Sequence, residues 1–212
     1  MRTHAKTNPG SPESSEHGSA SDEQLACQAG AGCASSFEEL CRRYQVPLLE
    51  FFRLRHHAAD SEDLCQETLL RAYKHVDRYD SRWRWKTWLF VIARRISINH
   101  HQRFRITPDS EVINAVAAAI EQPVQVAAEN ENRKRLWDLA RQVLTEEELT
   151  AIWLHYVEDM PTRQIARVLG RSWVSTKTMM FRARGKLRPQ LRQAEDGDAS
   201  GDASELSKRS LE

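Results

Sequence analysis

Residues 162–188, TRQIARVLGRSWVSTKTMMFRARGKLR, decide the fold of the C-terminal part of the chain. Pro161 suits the first turn of a helix, because its missing N–H would have no partner there, and apolar residues then recur at helical spacing up to Leu169. Gly170 can adopt a positive φ and end that helix, and the side chain of Ser172 can cap the next one. The segment therefore predicts two short helices joined by a tight turn, which is the layout of a helix-turn-helix.

The second helix of this pair is predicted to run from about Trp173 to Arg188. Its apolar positions are spaced four, three and four residues apart, which buries one face: Thr176, Met180, Ala183 and Leu187. Residues 163–192 contain nine Lys or Arg and no Asp or Glu. The exposed face can therefore bind a phosphate backbone, because neutralising phosphates releases counterions. The alternative is a solvated basic face on an ordinary helical hairpin.

Length and composition agree with a soluble globular protein. The chain has 212 residues, of which 29% are charged and 40% hydrophobic. No apolar run reaches the roughly 20 residues that span a bilayer, and the first residues lack the apolar core of a signal peptide, so a cytoplasmic protein without membrane insertion is expected. Its four cysteines form no CxxC pair and are interpreted as core thiols rather than as zinc ligands.

The formal net charge of +1 conceals a strong segregation of charge along the chain. Residues 71–105 carry ten Lys or Arg against two Asp, whereas residues 37–70 carry seven acids against four bases. The tail from Gln193 onward has six acids and two bases. Two separate basic segments predict two contacts with a polyanion, and the acidic segments predict surfaces for other partners.

The chain is predicted to be all-α, because no segment has a convincing strand pattern. Residues 1–21 and the acidic residues 194–212 are poor in apolar side chains and are predicted to be disordered tails. Between them lie two small helical domains, residues 22–105 and 132–193, the second of which contains the helix-turn-helix. A flexible linker, residues 106–131, joins the domains and could include a short helix.

Four helices are predicted in the first domain. Their approximate bounds are residues 22–30, 36–55, 62–75 and 85–103, and Ser61 is expected to cap the third. The first turn of that third helix is acidic, as the positive end of the helix dipole favours.

Aromatic and basic residues alternate between the third and fourth helices, in HVDRYDSRWRWKTW, residues 75–88. Rings can stack on bases while cations contact phosphates, so the segment predicts a surface for single-stranded nucleic acid. Trp85 and Trp88 lie on the apolar side of the following helix and are interpreted mainly as core residues. Tyr79 and Trp83 precede that helix and are the better candidates for contact with a base.

Three strings in this order resemble one known family. Residues 37–105, with SEDLCQETLLRAY and TWLFVIARR, are similar to domain 2 of the extracytoplasmic-function sigma factors of bacterial RNA polymerase. Residues 144–191, with YVEDMPTRQIARVLG followed by RAR and KLR, are similar to domain 4 of the same family. The resemblance covers a little over half of the chain.

The resemblance implies roles for three sets of residues. The helix that begins near Glu62 would dock on core polymerase through Asp63, Gln66 and Glu67. Opening of the −10 element and capture of a flipped base would involve Arg78, Tyr79, Arg82, Trp83, Trp85, Lys86, Arg94 and Arg95. The second helix of the helix-turn-helix would enter the major groove of the −35 element with Arg171, Ser172, Trp173, Ser175, Lys177, Thr178 and Arg182.

The resemblance also implies the partners and the chemistry. The expected function is a sigma factor that directs promoter-specific initiation, with partners in the clamp and flap regions of core RNA polymerase and in promoter DNA. An anti-sigma protein is a further partner known in the family. No catalytic residue, metal or cofactor is implied. The promoter sequence does not follow, because Arg95 and Trp173 depart from the residues that are usual in the family.

Two alternatives were weighed against this function. The pairs His56-His57 and His100-His101 could suggest a metal-dependent hydrolase, but adjacent helical residues point about 100° apart and do not easily reach one ion. A helix-turn-helix regulator that never enters polymerase would need no strand-opening surface, so the aromatic segment argues against it. A separate hypothesis is that the acidic tail, residues 194–212, shields the basic surfaces before polymerase binds.

Overall fold

A computed structural model describes the backbone of residues 20–105 and 124–209 and the side chains of residues 20–102 and 134–192. Within these residues every regular element is helical, which confirms the all-α prediction. The elements are α1 Asp22–Gly30, α2 Ala34–Arg53, α3 Ala58–His75, a 3₁₀ turn Val76–Arg78, α4 Trp85–Arg105, α5 Val124–Val143, α6 Glu146–Tyr156, α7 Thr162–Leu169 and α8 Trp173–Arg209.

The N-terminal half is fastened at its start by a capping box. Ser21 accepts a hydrogen bond from the backbone N–H of Gln24, whose side chain in turn accepts one from the N–H of Ser21. Asp22 then bonds to both Arg43, at 2.7 Å, and Tyr44 on α2. This network ties α1 to α2, while α3 and α4 pack alongside them.

The helix-turn-helix follows the predicted signals closely. Gly170 has φ 65° and ψ 31°, the left-handed conformation that only glycine adopts without strain, and it ends α7. The backbone N–H of Ser175 donates to the Oγ of Ser172 at 3.2 Å, which caps α8 as expected. Pro161 lies at the N-cap of α7, one position before the predicted first turn. The predicted apolar stripe of α8 is buried from Thr176 to Leu187.

Several boundaries differ from those predicted. Helix α3 begins at Ala58, so Ser61 is not its cap: its Oγ donates to the carbonyl of His57 at 2.8 Å from inside the first turn. Helix α5 begins at Val124, inside the predicted linker, and α8 continues to Arg209, into the segment predicted to be a disordered tail. Once a helix has formed, each further residue adds one hydrogen bond, which favours both extensions. Helix α8 continues in this way although it includes Pro189, Gly197 and Gly201, which disfavour a helix.

Other predictions fall on residues outside the described ones. These are the N-terminal tail up to residue 19 and the short helix expected within residues 106–123. None of the four cysteines forms a disulfide. Cys65 is buried and Cys41 packs partly buried against the core, so the interpretation as core residues holds for these two. Burial raises the pKa of the Cys65 thiol to about 11, which disfavours the thiolate.

One hydrophobic core runs through both halves of the described chain. Trp153 of α6 is 3% exposed and packs edge-on against Phe51 of α2 at 5.6 Å between ring centroids. It also lies 5.9 Å from Phe90 of α4. The helices of the C-terminal half therefore share apolar contacts with those of the N-terminal half. No helix in the described residues combines the length and apolar character that a membrane span requires.

A partly buried histidine makes the fold sensitive to acid. His56 contacts Ser97 through Nε2 at 2.7 Å and lies against the rings of His100 and His101. Burial, with the positive neighbours second, lowers the pKa of His56 to about 4. The folded state therefore resists protonation where the unfolded chain, with an ordinary pKa near 6.5, takes up a proton.

We expect the free energy of unfolding to fall as the pH drops from about 6.5 to about 4, with a His56 contribution on the order of 3 kcal/mol. Replacing His56→Gln keeps a polar partner for Ser97 and removes the titration, so the stability curve of this variant should be flatter over that window. Urea unfolding at a series of pH values measures the difference. His57→Gln, at the exposed neighbouring position, is the control. Parallel curves for the wild type and the His56 variant would refute the assignment.

Candidate nucleic-acid interface

The aromatic segment before α4 forms a small stack of rings. Tyr79 lies edge-on to Trp85 at 5.2 Å and to Trp88 at 5.7 Å, and Trp85 and Trp88 are 4.9 Å apart. The hydroxyl of Tyr79 donates to the carbonyl oxygen of Trp83 at 2.5 Å. Burial raises the pKa of Tyr79, so this hydroxyl stays protonated and available as a donor. These contacts hold the loop before α4 in place, and Trp83 lies at the solvent-exposed end of the stack.

Trp83 and Trp85 have opposite environments. Trp83 is 38% exposed, whereas Trp85 is 1% exposed and belongs to the core. Trp85 is therefore a core residue, as its position on the apolar side of α4 predicts, and its ring is not accessible to a base in this structure. Tyr79 is only partly exposed and supports the loop. Of the ring-bearing candidates in this set, Trp83 is the one with a substantially accessible ring.

The cations around this loop differ in how freely they could meet a phosphate. Arg78 and Arg95 are exposed. Arg82 is exposed as well, but its guanidinium is held by Asp80 at 2.6 Å, and this hydrogen bond lowers the pKa of that carboxyl. Arg94 is largely buried, with 20% of its side chain exposed, and Lys86 is 35% exposed.

The outer face of α8 carries the predicted duplex-binding residues. Most of them are exposed: Arg171, Ser172, Trp173, Lys177, Thr178 and Arg182. Ser175 is partly buried. The Trp173 ring is 45% exposed and has two cations near its face, Arg163 at 5.6 Å and Lys177 at 5.5 Å from the centroid. The start of α8 and the turn before it therefore present polar, basic and aromatic side chains to solvent.

Acidic residues lie beside this face. A depression of about 400 Å³ separates the start of α6 from α8, and its walls include Glu147, Glu148, Arg171 and Arg182. Glu148 binds Lys186 at 2.8 Å and also completes the capping box of α6 with Thr145. The bonds from Lys186 and Thr145 hold the pKa of Glu148 below its usual value, although burial opposes the shift.

A second surface lies on α3. Asp63 and Gln66 are exposed and Glu67 is partly exposed, and their spacing of three and four residues places them on one side of the helix. Glu67 forms an ion pair with Arg71 at 2.5 Å. Leu70, 57% exposed, follows on the same side. The structure thus brings together an acidic and apolar face that is separate from the aromatic loop.

No metal centre emerges from the described residues. No group of three or more His, Cys, Asp or Glu among them is arranged to hold an ion. The structure does bring His56 close to His100 and His101, the two histidine pairs that the metal-site alternative had grouped. These rings pack edge to face in the fold described above.

Three residues near the interface were missed by the sequence interpretation. Arg167 lies over the Trp83 ring at 3.2 Å from the centroid, and Glu147 and Glu158 bind cations of the predicted DNA-binding sets. The basic residues of α7 can be recognised in the sequence. Neighbouring residues do not indicate, however, that Arg167 contacts Trp83 or which cations Glu147 and Glu158 bind.

Comparison with family models gives two matches in order along the chain. Residues 40–105 match Sigma-70 region 2, which includes α3, the aromatic loop and α4. Residues 135–187 match Sigma-70 region 4, which includes the helix-turn-helix. The two matches cover the same segments that the resemblance identified.

Curated relatives match over most of their own length. RNA polymerase sigma factor YlaC of Bacillus subtilis is 26% identical over 161 residues, covering 74% of this chain and 92% of the relative. ECF RNA polymerase sigma factor SigM of the same species is 28% identical over 143 residues, covering 66% and 83%. RNA polymerase sigma-H factor of Pseudomonas aeruginosa is 29% identical over 188 residues, covering 82% and 97%.

Two solved structures share the fold. One is CnrH in complex with the cytosolic domain of CnrY, with a TM-score of 0.62 and 24% identity, covering 81% of this chain and 97% of that one. The other is the sigma factor RpoE in complex with the anti-sigma factor NepR from Bartonella quintana, with a TM-score of 0.60 and 23% identity, covering 75% and 98%.

Proposed function

The chain belongs to the sigma-70 family, as one of its extracytoplasmic-function members, and is an RNA polymerase sigma factor; from this premise we propose how its two halves divide the work. Residues 22–105 bind core polymerase and open the −10 element. Residues 132–193 read the −35 element. Residues 106–131 connect the two, although α5 already begins within that stretch.

Opening of the −10 element is assigned to the loop before α4. Unpairing a base costs a few kcal/mol, and stacking on an aromatic ring recovers roughly 1–3 kcal/mol. Trp83 is the proposed stacking residue because its ring is accessible, and Tyr79 supports it through the bond to the Trp83 carbonyl. The cations proposed to contact the phosphates are Arg78, Arg82, Lys86, Arg94 and Arg95.

Recognition of the −35 element is assigned to the exposed face of α8. An α-helix fits the major groove, and the residues near its N-terminus approach the bases first. Arg171, Ser172 and Trp173 are therefore proposed to lie nearest the bases. The contacts farther along the helix are proposed to come from Ser175, Lys177, Thr178 and Arg182.

The acidic face of α3 is proposed to bind the clamp of core polymerase through Asp63, Gln66 and Glu67. Carboxylates on a DNA-binding protein repel DNA, so a conspicuous acidic face suits a protein partner instead. The flap of polymerase is the proposed partner of the C-terminal half. We also propose that the protein acts in the cytoplasm by binding alone, without a catalysed reaction of its own.

An anti-sigma protein is a further proposed partner. The support is that the sigma factor RpoE, which shares this fold, was solved in complex with the anti-sigma factor NepR. A regulator that acts outside polymerase is not favoured, because the chain matches region 2 as well as region 4.

The observation that carries this proposal is the order of the two regions, with an acidic helix face in the first and a basic helix face in the second.

The test is binding to purified bacterial core polymerase. Charge reversal by Asp63→Arg should weaken that binding about tenfold or more and remove promoter-specific transcripts, because a close interfacial charge is replaced by its opposite. Asp77→Arg, at an exposed acid on the 3₁₀ turn, is the matched control and should bind core polymerase normally.

Equal affinity of both variants for core polymerase would remove α3 from the interface. If the wild type itself supports no promoter-specific transcript from any member of a promoter library, the division of labour proposed for the two halves is also wrong.

A further inference from the structure

A crevice of about 320 Å³ lies where α2, α5 and α6 meet. Its volume falls at the lower end of the range of small-molecule sites, which begins at roughly 300 Å³. The lining combines two indole rings, three cations and one carboxylate, which belong to Trp137, Trp153, Arg53, Lys134, Arg141 and Glu50. The residues proposed to contact DNA or the polymerase clamp include none of these six, so their chemistry has no use in the proposed function.

One face of α5 forms a wall of the crevice. Lys134, Trp137 and Arg141 are spaced three and four residues apart, so they lie on the same side of this helix. The indole of Trp137 is only partly buried against the core, and a cation follows or precedes it by about one turn. An accessible ring between cations is an arrangement that binds a nucleobase together with its phosphate.

The other walls come from α2 and α6. Trp153 of α6 is 3% exposed and Leu54, directly after α2, is 6% exposed, so these two residues supply the buried apolar part of the lining. Glu50 and Arg53, in the last turn of α2, are exposed. Arg53 adds the third cation, and the Glu50 carboxylate can accept hydrogen bonds from the hydroxyl or amino groups of a nucleoside. The crevice therefore offers a complementary group to each part of a nucleotide.

The cations of the crevice are only weakly engaged by carboxylates of the chain. Arg53 lies 3.8 Å from Glu62, and about half of each side chain is exposed. Arg141 pairs with Asp138, one turn earlier on α5, again at an exposed position. Exposed pairs contribute little to stability, so a phosphate, with more charge and more acceptor oxygens, can take the place of these carboxylates. Lys134 is exposed and has no ion pair within the described part of the chain.

We propose that this crevice binds a free nucleoside phosphate. The base lies against Trp137, the phosphates contact Arg53, Lys134 and Arg141, and Glu50 accepts hydrogen bonds from the nucleoside. Because the lining comes from three helices, the bound nucleotide stabilises the folded chain. Recognition of DNA and binding to the polymerase clamp use other residues, so this proposal and the proposed function can each fail without the other.

Isothermal titration calorimetry of the full-length protein with ADP, GDP, CDP and UDP tests the site. At least one of these nucleotides should bind as a single molecule per chain with a Kd below about 1 mM. Inorganic pyrophosphate should bind roughly tenfold or more weakly than that nucleotide, because it cannot stack on Trp137. The proposal is overturned if all four nucleotides fail to bind, or if pyrophosphate binds equally well.

Two kinds of variant locate the bound nucleotide. Lys134→Glu should weaken its binding roughly tenfold or more, because the substitution reverses a charge at an exposed position. Lys74→Glu makes the same change at an exposed lysine of α3 and is the matched control. Trp137→Ala should weaken binding roughly tenfold, whereas Trp137→Phe retains a stacking ring and should keep most of the affinity. Circular dichroism checks that each variant is folded, and equal affinity of the two lysine variants would show that the nucleotide binds elsewhere.

Two further outcomes would also overturn the proposal. Trp83→Ala tests the aromatic loop before α4: a loss of nucleotide binding in this variant, with normal binding in Trp137→Ala, would place the nucleotide on the loop. A short oligothymidylate tests the choice of a free nucleotide. If this strand binds the Trp83→Ala protein and excludes the nucleotide from it, the crevice takes single-stranded nucleic acid instead.

Discussion

A Trp83→Ala variant is expected to support roughly 5- to 150-fold less transcription from a duplex promoter than the wild type, because a lost base stack costs roughly 1–3 kcal/mol. The ring is the accessible member of the aromatic stack before α4, and Tyr79 fixes the backbone that presents it. Binding to core polymerase should be unchanged, since Trp83 lies outside the acidic face of α3. In vitro transcription with purified core polymerase measures the effect.

A template whose −10 region is already unpaired separates opening from other defects. On such a template the energetic cost of unpairing has been removed, so the Trp83→Ala variant should recover most of its activity. Trp83→Phe retains a stacking ring and should keep most activity on the duplex template. An Ala variant that is equally impaired on both templates would show that Trp83 does not act in strand opening.

Arg167→Ala provides a further control for this result. Both substitutions remove the contact between Arg167 and Trp83, but only the substitution of Trp83 removes the ring. Arg167→Ala uncovers the Trp83 ring and leaves it in place, so this variant should not reduce transcription. A comparable loss in both variants would attribute the effect to the contact between the halves rather than to base stacking.

The helix boundaries that can be recognised in the sequence are those that depend on neighbouring residues. Gly170 ends α7 in the left-handed conformation and Ser172 caps α8, because each effect depends on a few neighbouring backbone groups. The same reasoning misplaced Ser61, since two alanines upstream let α3 begin a turn earlier. Local rules therefore predicted most helices, and their errors are at the ends, where several starts differ little in free energy.

The contacts between the halves could not be predicted in this way. Arg94 and Glu147 are 53 positions apart, and Arg55 and Thr150 are 95 apart, so no periodic pattern relates them. Composition indicates that a cation will be exposed or paired but does not identify its partner. The sequence therefore predicts two basic surfaces at the candidate site. It does not identify the acidic residues that form ion pairs with them. The family resemblance places Trp85 in the −10 set, whereas its position on the apolar side of α4 buries it.

The largest effect on stability is expected at Trp153. Its ring is 3% exposed and packs against Phe51 and Phe90, so Trp153→Ala should lower the free energy of unfolding by about 3–5 kcal/mol through lost burial and the cavity left behind. Urea unfolding followed by circular dichroism measures the change. Tyr156→Ala, three residues later on α6 and 58% exposed, is the matched control and should cost less than about 1 kcal/mol.

The position of Trp153 between the halves makes this prediction more specific than an ordinary core truncation. The ring contributes to the packing of α6 and also fills the space between α2 and α4, so its loss should weaken the union of the halves together with the C-terminal half itself. We therefore expect the m-value to change as well as the midpoint, because the halves no longer unfold as one unit. A loss of less than about 1 kcal/mol, with the m-value of the wild type, would mean that the ring is not enclosed by both halves in solution.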